Sequence, residues 1–418
     1  MSLDTTKPHV LIVGAGLAGL TLAQCLRKQG VSFEIFDKDD DLTTRHGYAI
    51  GMHSIIKDLI SAFSSDMPPL RESADHLLPL KLEPQICFYG REGPVIGVQN
   101  TADTPCLRLN RLHFRKWLAT NITIRLGKKL QNVEEGPNAV TVHFEDGTSA
   151  SGDLLVGADG VNSKVREHML GRRNSEVLNP IKYACIWGET TLSGEAMERQ
   201  LSLGHSAYTV SSKNFNYATF AGLNKVNEDF SGDYYWYICW TDEDADKPDH
   251  WLQQATKSAK LDHVLKTTES LDPSLREIFL LTPAEGIVSG MPIFRDAVIP
   301  SLPSTGRVTM IGDAVHPMTP WRGEGGMHAI RDALNLSKVI ERFRNNYPGW
   351  SQHALESYHQ EILERGRLAV DLSRNAFKNN QEKDSAVVAW GAVAKPIPKE
   401  KIILDHYKPR GAQAALLD

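Results

Sequence analysis

The segment that most constrains this chain is Val10-Leu11-Ile12-Val13-Gly14-Ala15-Gly16-Leu17-Ala18-Gly19. A short β-branched apolar run enters a glycine-rich turn, and Leu17, Leu20, Ala23 and Leu26 then recur at helical spacing. Arg27 and Lys28 fall in the last turn and Gly30 is placed as a helix stop. Val31 to Phe36 reads as a second strand ending at Asp37, which completes a βαβ unit. In such a unit Gly14 permits the tight turn, Gly16 lets a diphosphate approach the backbone, and Gly19 allows close helix packing. Ala15, Leu17 and Ala18 lie among them, where a helix N-terminus offers N–H groups to an anion. Asp37, followed by Lys38, is placed to hydrogen-bond a ribose hydroxyl, and an acid there suits an unphosphorylated ribose. The pattern leaves FAD and NAD both open.

The rest of the chain is long enough, at 418 residues, for two or three domains. Asn110 is placed to cap a helix from Arg111 to about Thr120. Ile122, Ile124 and Leu126 alternate as a strand. Lys129–Val133, Ala139–Phe144 and the run from Thr148 read as an antiparallel meander, separated by Gly136-Pro137-Asn138 and Asp146-Gly147. From about 175 to 300 aromatic residues concentrate and alternate as in an antiparallel sheet, with a charged loop at Asp242–Asp249 and a helix over Leu261–Leu271. The α/β pattern returns at Val308–Ile311 and a helix lined by Ile330, Ala333, Leu334 and Ile340. A last long helix, about Ser351 to Lys378, carries an apolar stripe that includes Leu355, Tyr358, Ile362, Ala369, Val370 and Phe377.

Net charge excludes one class of partner. Lys+Arg 46 against Asp+Glu 51 gives −5, and the pI is near 6.3, so no surface built for nucleic acid is expected. The five cysteines, Cys25, Cys87, Cys106, Cys185 and Cys239, show no Cys-x-x-Cys pair and no matching His spacing. That argues against a metal site and, with the odd count, against disulfides. Met1–His9 lacks the apolar core of a secretory signal and no stretch reaches the length of a membrane span. A cytoplasmic chain without a membrane partner is expected, as a monomer or weak homodimer.

Two later segments carry a resemblance. Asp153-Leu-Leu-Val-Gly157-Ala-Asp159-Gly160-Val-Asn-Ser163-Lys-Val-Arg166 resembles the Asp-Gly motif of group A flavoprotein monooxygenases, the para-hydroxybenzoate hydroxylase-like family. Gly312-Asp313-Ala314-Val-His316-Pro317 resembles that family's Gly-Asp motif. The three motifs stand in the family's order over residues 8 to 345. The resemblance implies an α/β fold: a glutathione-reductase-like FAD-binding Rossmann domain, an inserted antiparallel-sheet substrate domain and C-terminal helices. Residues 1–174 and 301–345 would form the two parts of the FAD domain, 175–300 the substrate domain and 346–418 the helical region.

The same resemblance implies which residues hold FAD. Asp313 would accept from a ribityl hydroxyl. The glycine-rich start Arg322-Gly323-Glu324-Gly325-Gly326-Met327 would offer N–H groups to the flavin's pyrimidine edge, with Met327 standing where the family commonly has Asn. Arg111 matches an arginine near the flavin, with Arg108 as its local rival. Gly47-Tyr-Ala-Ile-Gly51 resembles the segment along the flavin, which makes Gly47 and Arg45 candidates. Asp159 and Arg166 suit ties between strand and turn. Pro320 and Trp321 are placed beside the isoalloxazine, with Tyr217, Trp236 and Phe294 as substrate walls. Core packing is the competing role for each aromatic.

The activity implied is insertion of one oxygen atom from O2 into a small, aromatic or fused-ring substrate through a flavin C4a-hydroperoxide, by hydroxylation or epoxidation. NADPH or NADH would visit as reductant, since no second Gly-x-Gly-x-x-Gly unit occurs. The glycine-rich segment at 322–326 is similar to fungal members, which suggests secondary metabolism. An FAD-dependent dehydrogenase or oxidase, or a flavin-binding redox sensor, are the alternatives. The flavin would carry the chemistry, so no catalytic side chain is assigned.

Overall fold

A computed structural model describes residues 8–43, 48–90, 95–211, 215–303, 306–344, 355–382 and 394–404. The strands in chain order are β1 His9–Val13, β2 Ser32–Phe36, β3 Ala49–Met52, β4 Gln85–Tyr89, β5 Ile96–Gln99, β6 Leu107–Asn110, β7 Ile124–Arg125, β8 Leu130–Glu135, β9 Val140–Phe144 and β10 Ser149–Gly152. They continue as β11 Leu154–Gly157, β12 Asn179–Pro180, β13 Tyr183–Leu192, β14 Ala207–Ser211, β15 Tyr217–Val226, β16 Gly232–Thr241, β17 Arg295–Asp296, β18 Val308–Met310 and β19 Lys395–Pro396.

The first βαβ unit sits in a five-stranded parallel sheet of order β18-β11-β1-β2-β7. Val10, Leu11 and Ile12 are buried, as a strand covered on both faces requires. The helix Leu17–Gln29 ends at Gly30 in the left-handed conformation, φ 66°, whose N–H returns to Arg27 O. That helix packs against the helix Gly325–Arg344. The meander β8-β9-β10 lies beside this sheet. Asn110 caps the helix Arg111–Leu118 by accepting from His113 N at 3.0 Å. These elements give the α/β class the motifs imply.

A second sheet of seven strands has the order β13-β16-β15-β14-β4-β5-β19, antiparallel except where β14 runs parallel to β4. It therefore takes strands from residues 85–99 as well as from the aromatic stretch. Its two faces differ. Ala184, Ile186, Tyr217, Ala221, Leu223, Tyr234, Trp236 and Ile238 form one apolar core with residues of the helices Gly194–Leu203, Lys257–Thr267 and Pro273–Leu280. The opposite face turns toward the parallel sheet. The long C-terminal helix runs Glu356–Glu382, with Leu355, Tyr358, Ile362, Ala369 and Val370 buried; the Phe377 side chain lies outside the described residues. It is clamped to β17 by Arg374, which donates to both Asp296 carboxylate oxygens at 2.7 Å.

Two expectations are corrected here. Cys185 and Cys239 form a disulfide, because the β13–β16 register sets them opposite with Cα atoms 4.3 Å apart although 54 residues separate them in sequence. Spacing along the chain carries no information on cross-strand register. Cys25, Cys87 and Cys106 are free, and burial pushes each thiol up to about 12, so they behave as small apolar groups. Trp236, expected at a substrate wall, is fully buried in the core instead; its Nε1 donates to Thr282 Oγ1 at 2.8 Å and its ring meets Phe279 edge-on at 4.9 Å. Trp236→Ala should therefore lower the unfolding free energy by about 3–5 kcal/mol in urea denaturation. A loss under about 1 kcal/mol would place the indole outside the packed core.

Candidate active site

Both sheets border one cavity of about 720 Å³. Its floor at one end is the glycine turn. Gly14 has φ 110°, and a Cβ there would stand 2.2 Å from Ala158 O, so the turn needs glycine for conformation and for its approach to the 157–160 segment. A Cβ at Gly19 would stand 1.9 Å from Gly14 O, which ties the helix to the turn. A Cβ at Gly16 would meet nothing within 4 Å, and Gly16, Leu17 and Ala18 line the cavity. The helix behind them has no side-chain cap and no acid in its first turn. Its opening N–H groups and positive dipole end thus suit a diphosphate.

Asp37 and Lys38 line the same end. Asp37 accepts from Ala15 N at 2.7 Å and from Arg115 Nη2 at 3.0 Å, while its other oxygen accepts from Asp39 N at 3.0 Å. Ala15 is thereby used in holding the acid and does not itself line the cavity. Arg115 also donates to Ala15 O at 2.8 Å. Sequence reasoning missed Arg115; its signal is the spacing of four from Arg111 on a capped helix. Lys128 and Lys129 line this end as well and were not anticipated.

At the centre, Asp313 projects into the cavity from the turn after β18. Its side chain is exposed to the cavity, and the protein packed around that cavity pushes its carboxyl upward, opposed by the charges of His316 and Arg111. The turn is held from below. Asp332 accepts from Gly312 N at 2.7 Å and pairs with His316 Nε2 at 2.7 Å and Arg365 Nη2 at 2.6 Å. Arg166, fully buried, donates to Asp313 O at 3.3 Å and Ala314 O at 3.0 Å, and also to Val161 O. It bridges the two motif segments. Asp159 lines the cavity but spends its oxygens on Ser163 Oγ (2.6 Å), Lys164 N (2.7 Å) and Val165 N (3.2 Å), fastening the next helix.

Arg111, Pro320, Trp321, Gly323, Gly325 and Gly326 line the cavity, as does Arg108. The helix begins at Gly325, inside the glycine-rich segment, so its first N–H groups lie at the cavity edge. Met327, expected to serve through its backbone N–H because it lacks the Asn side chain, is a correction: the residue does not line the cavity, and its side chain is buried in the core of the parallel sheet. Arg45 and Gly47 lie outside the described residues.

At the far end the large sheet supplies an aromatic wall of Phe88, Trp187, Phe220, Tyr235 and Tyr237, with Tyr48 beside it. The wall residues chosen from sequence stand elsewhere, apart from Trp321. Tyr217 and Trp236 face the opposite side of the sheet, because neighbours in a strand alternate faces. Phe294 packs behind Trp321 at 5.2 Å without reaching the cavity.

Among the described residues there is no cluster suited to a metal ion, and no helix is long and apolar enough to cross a membrane. Residues 97–373 match the FAD binding domain family and residues 12–49 a NAD(P)-binding Rossmann-like domain. The FAD-dependent monooxygenase thnD of Trichoderma harzianum is 46% identical over 376 residues, covering 88% of this chain and 92% of that protein. The FAD-dependent monooxygenase dbaB of Emericella nidulans is 28% identical over 349 residues, covering 79% and 86%. Among solved structures, HpxO of Klebsiella pneumoniae, crystallised with FAD and uric acid, superimposes with a TM-score of 0.67 at 19% identity over 92% of this chain and 91% of that one.

The chain therefore belongs to the FAD-dependent monooxygenases of the para-hydroxybenzoate hydroxylase-like family. FAD is its cofactor, and the uncapped helix end, the open space at Gly16 and the inward carboxylate of Asp313 fit that group.

Asp313→Ala should weaken FAD binding by at least about tenfold, the loss of a hydrogen bond to a charged group. A dissociation constant for FAD unchanged from the parent would contradict the role. Burial drives the His316 pKa down, but the Asp332 charge and hydrogen bond outweigh it and leave the net value above the ordinary 6.5. A raised histidine pKa contributes stability that is complete below about pH 6.5 and fades as pH rises through the folded-state value. The stability gap between the parent and His316→Gln should thus narrow in urea unfolding as the pH is raised over the range above about 6.5. A gap constant over that range would rule out this linkage.

Proposed function

We propose that this monooxygenase uses NAD(P)H and O2 to hydroxylate or epoxidise an aromatic or fused-ring small molecule, with a place in secondary metabolism. The observation that carries the reading is the single cavity running from the glycine turn, past Asp313, to the aromatic wall of the second sheet. Residues 1–174 and 301–345 are read as one discontinuous FAD domain and 175–300 as the substrate domain, with β4 and β5 lending strands to its sheet and 346–418 as the helical region. The relatives from Trichoderma harzianum and Emericella nidulans support a fungal setting.

In this reading Gly14, Gly16, Leu17 and Ala18 receive the diphosphate, Asp37 a ribose hydroxyl and Asp313 the ribityl chain. The N–H groups opening the helix at Gly325 and Gly326 meet the pyrimidine edge, where the helix dipole favours negative charge. Bound FAD, once reduced, supplies the activation of O2. The protein's work is then positioning and exclusion of water. Phe220, Tyr237 and Trp321 present flat apolar surface against which a planar ring can be held, and Trp321 is itself fixed edge-on by Tyr183 at 5.6 Å and Tyr237 at 5.8 Å. No nucleophilic side chain is required for this chemistry.

Under labelled O2, the product formed with a turnover-stimulating aromatic compound should carry one labelled oxygen atom per molecule. Label recovered only in peroxide or water, with an oxidised but unoxygenated product, would assign the chain to the dehydrogenase or oxidase alternative.

A further inference from the structure

The aromatic end of the cavity contains a charge that no described residue neutralises. Arg108, on β6 opposite Gly51 of β3, is only 4% exposed. Its Nη2 donates to the Tyr235 hydroxyl, and its guanidinium lies 5.2 Å from the Phe220 ring centre and 5.7 Å from that of Tyr235. Its Nε has no hydrogen-bond partner among the described residues, and no ion pair to it is formed among them. Of the carboxylates on the cavity wall, Asp37 is paired with Arg115 and Asp159 fastens the turn that follows it, while Asp313 feels the charges of His316 and Arg111.

The sheet is also built to admit this side chain. A Cβ at Gly222 would stand 2.7 Å from Arg108 Nη2, so a glycine on β15 leaves the guanidinium its seat. A second donor nearby is unpaired: Trp187 Nε1 is buried without a partner among the described residues. Tyr48 joins the two, stacking on Tyr235 at 4.1 Å and on Trp187 at 5.0 Å. A buried guanidinium is costly unless something with negative charge or lone pairs meets it. This wall holds donors and a flat aromatic surface, and no described residue supplies the acceptor, which makes a ligand in the cavity the natural source of one.

We propose that Arg108, supported by Tyr235 and Trp187, is the group that selects the substrate, a planar aromatic molecule presenting an acidic oxygen, phenolic, enolic or carboxylic, to the guanidinium. The proposal rests on the monooxygenase reading of the same cavity, but its test reads binding alone. It can therefore fail while oxygen incorporation stands, and the reverse.

The experiment titrates FAD-loaded enzyme with matched naphthalene probes, followed by the change in flavin absorbance. 2-Naphthoate is compared with 2-naphthamide, and 2-naphthol with 2-methoxynaphthalene. The parent enzyme should prefer the acidic member of at least one pair by about tenfold or more, the scale of a charge-assisted hydrogen bond. Preference for naphthoate assigns a carboxylate and preference for naphthol a phenol or enol. Arg108→Met should abolish the preference, whereas Arg108→Lys should keep part of it. Should Arg108→Met lose its flavin, Gly222→Ala carries the same test, since a methyl there crowds the guanidinium, and the Phe220 ring beside it, without removing the charge. Equal affinity within both pairs in the parent enzyme, or a preference undiminished in Arg108→Met or in Gly222→Ala, would overturn the proposal.

Discussion

Asp332 is the buried charge on which the centre of the molecule depends. Its carboxylate is fully buried and receives the Gly312 amide, the His316 ring and the Arg365 guanidinium. Burial alone would raise this carboxyl; those partners outweigh it and hold it below its ordinary value. An unpaired carboxylate at such depth would be untenable, so the three partners fix one another's positions. Gly312 and His316 lie on the turn after β18 and Arg365 on the long C-terminal helix, while Asp332 itself stands on the helix that borders the cavity. Gly366 extends the same constraint, since a Cβ there would stand 2.9 Å from the His316 Cβ. The position of Asp313 over the cavity follows from this arrangement beneath it.

Comparable ties explain how a discontinuous chain builds one site. Arg166 spends its donors on carbonyls from both motif segments, so the turn at 157–166 and the turn at 312–317 cannot drift apart. At the other end Arg115 holds Asp37 and the Ala15 carbonyl together, which fixes the ribose-facing acid against the glycine turn. In both places an arginine buried under a turn sets the geometry that cavity-lining residues then use. The fork of a guanidinium suits this role, because it reaches several acceptors from one rigid plane.

What could be read from the sequence was local. The glycine turn, the acid after the second strand, the Asn110 cap and the meander at 130–152 are short-range patterns, and each has a physical signature within about ten residues. What could not be read depends on pairing between distant strands. Trp236 reads as a wall residue from sequence but packs into the core, because alternation shows that two faces exist without showing which faces a cavity. The disulfide at Cys185 and Cys239 is a consequence of β13–β16 register. The partnership of β4 and β5 with the aromatic strands was equally invisible, since a parallel β14–β4 pair joins segments more than a hundred residues apart.

The large sheet separates two demands that often conflict. Its even-numbered positions on β16, Tyr234, Trp236 and Ile238, pack into a core and contribute stability through burial. The odd-numbered Tyr235 and Tyr237 face the cavity. Because strand side chains alternate, one backbone supports both sets without sharing atoms between them. The core face can stay fixed while the cavity face is exchanged, and a change of substrate need not disturb the packing that holds the sheet. At Gly222 the two demands meet: it lies in the backbone of a packed strand, yet it is small because the Arg108 guanidinium and the Phe220 ring stand against it on the cavity side.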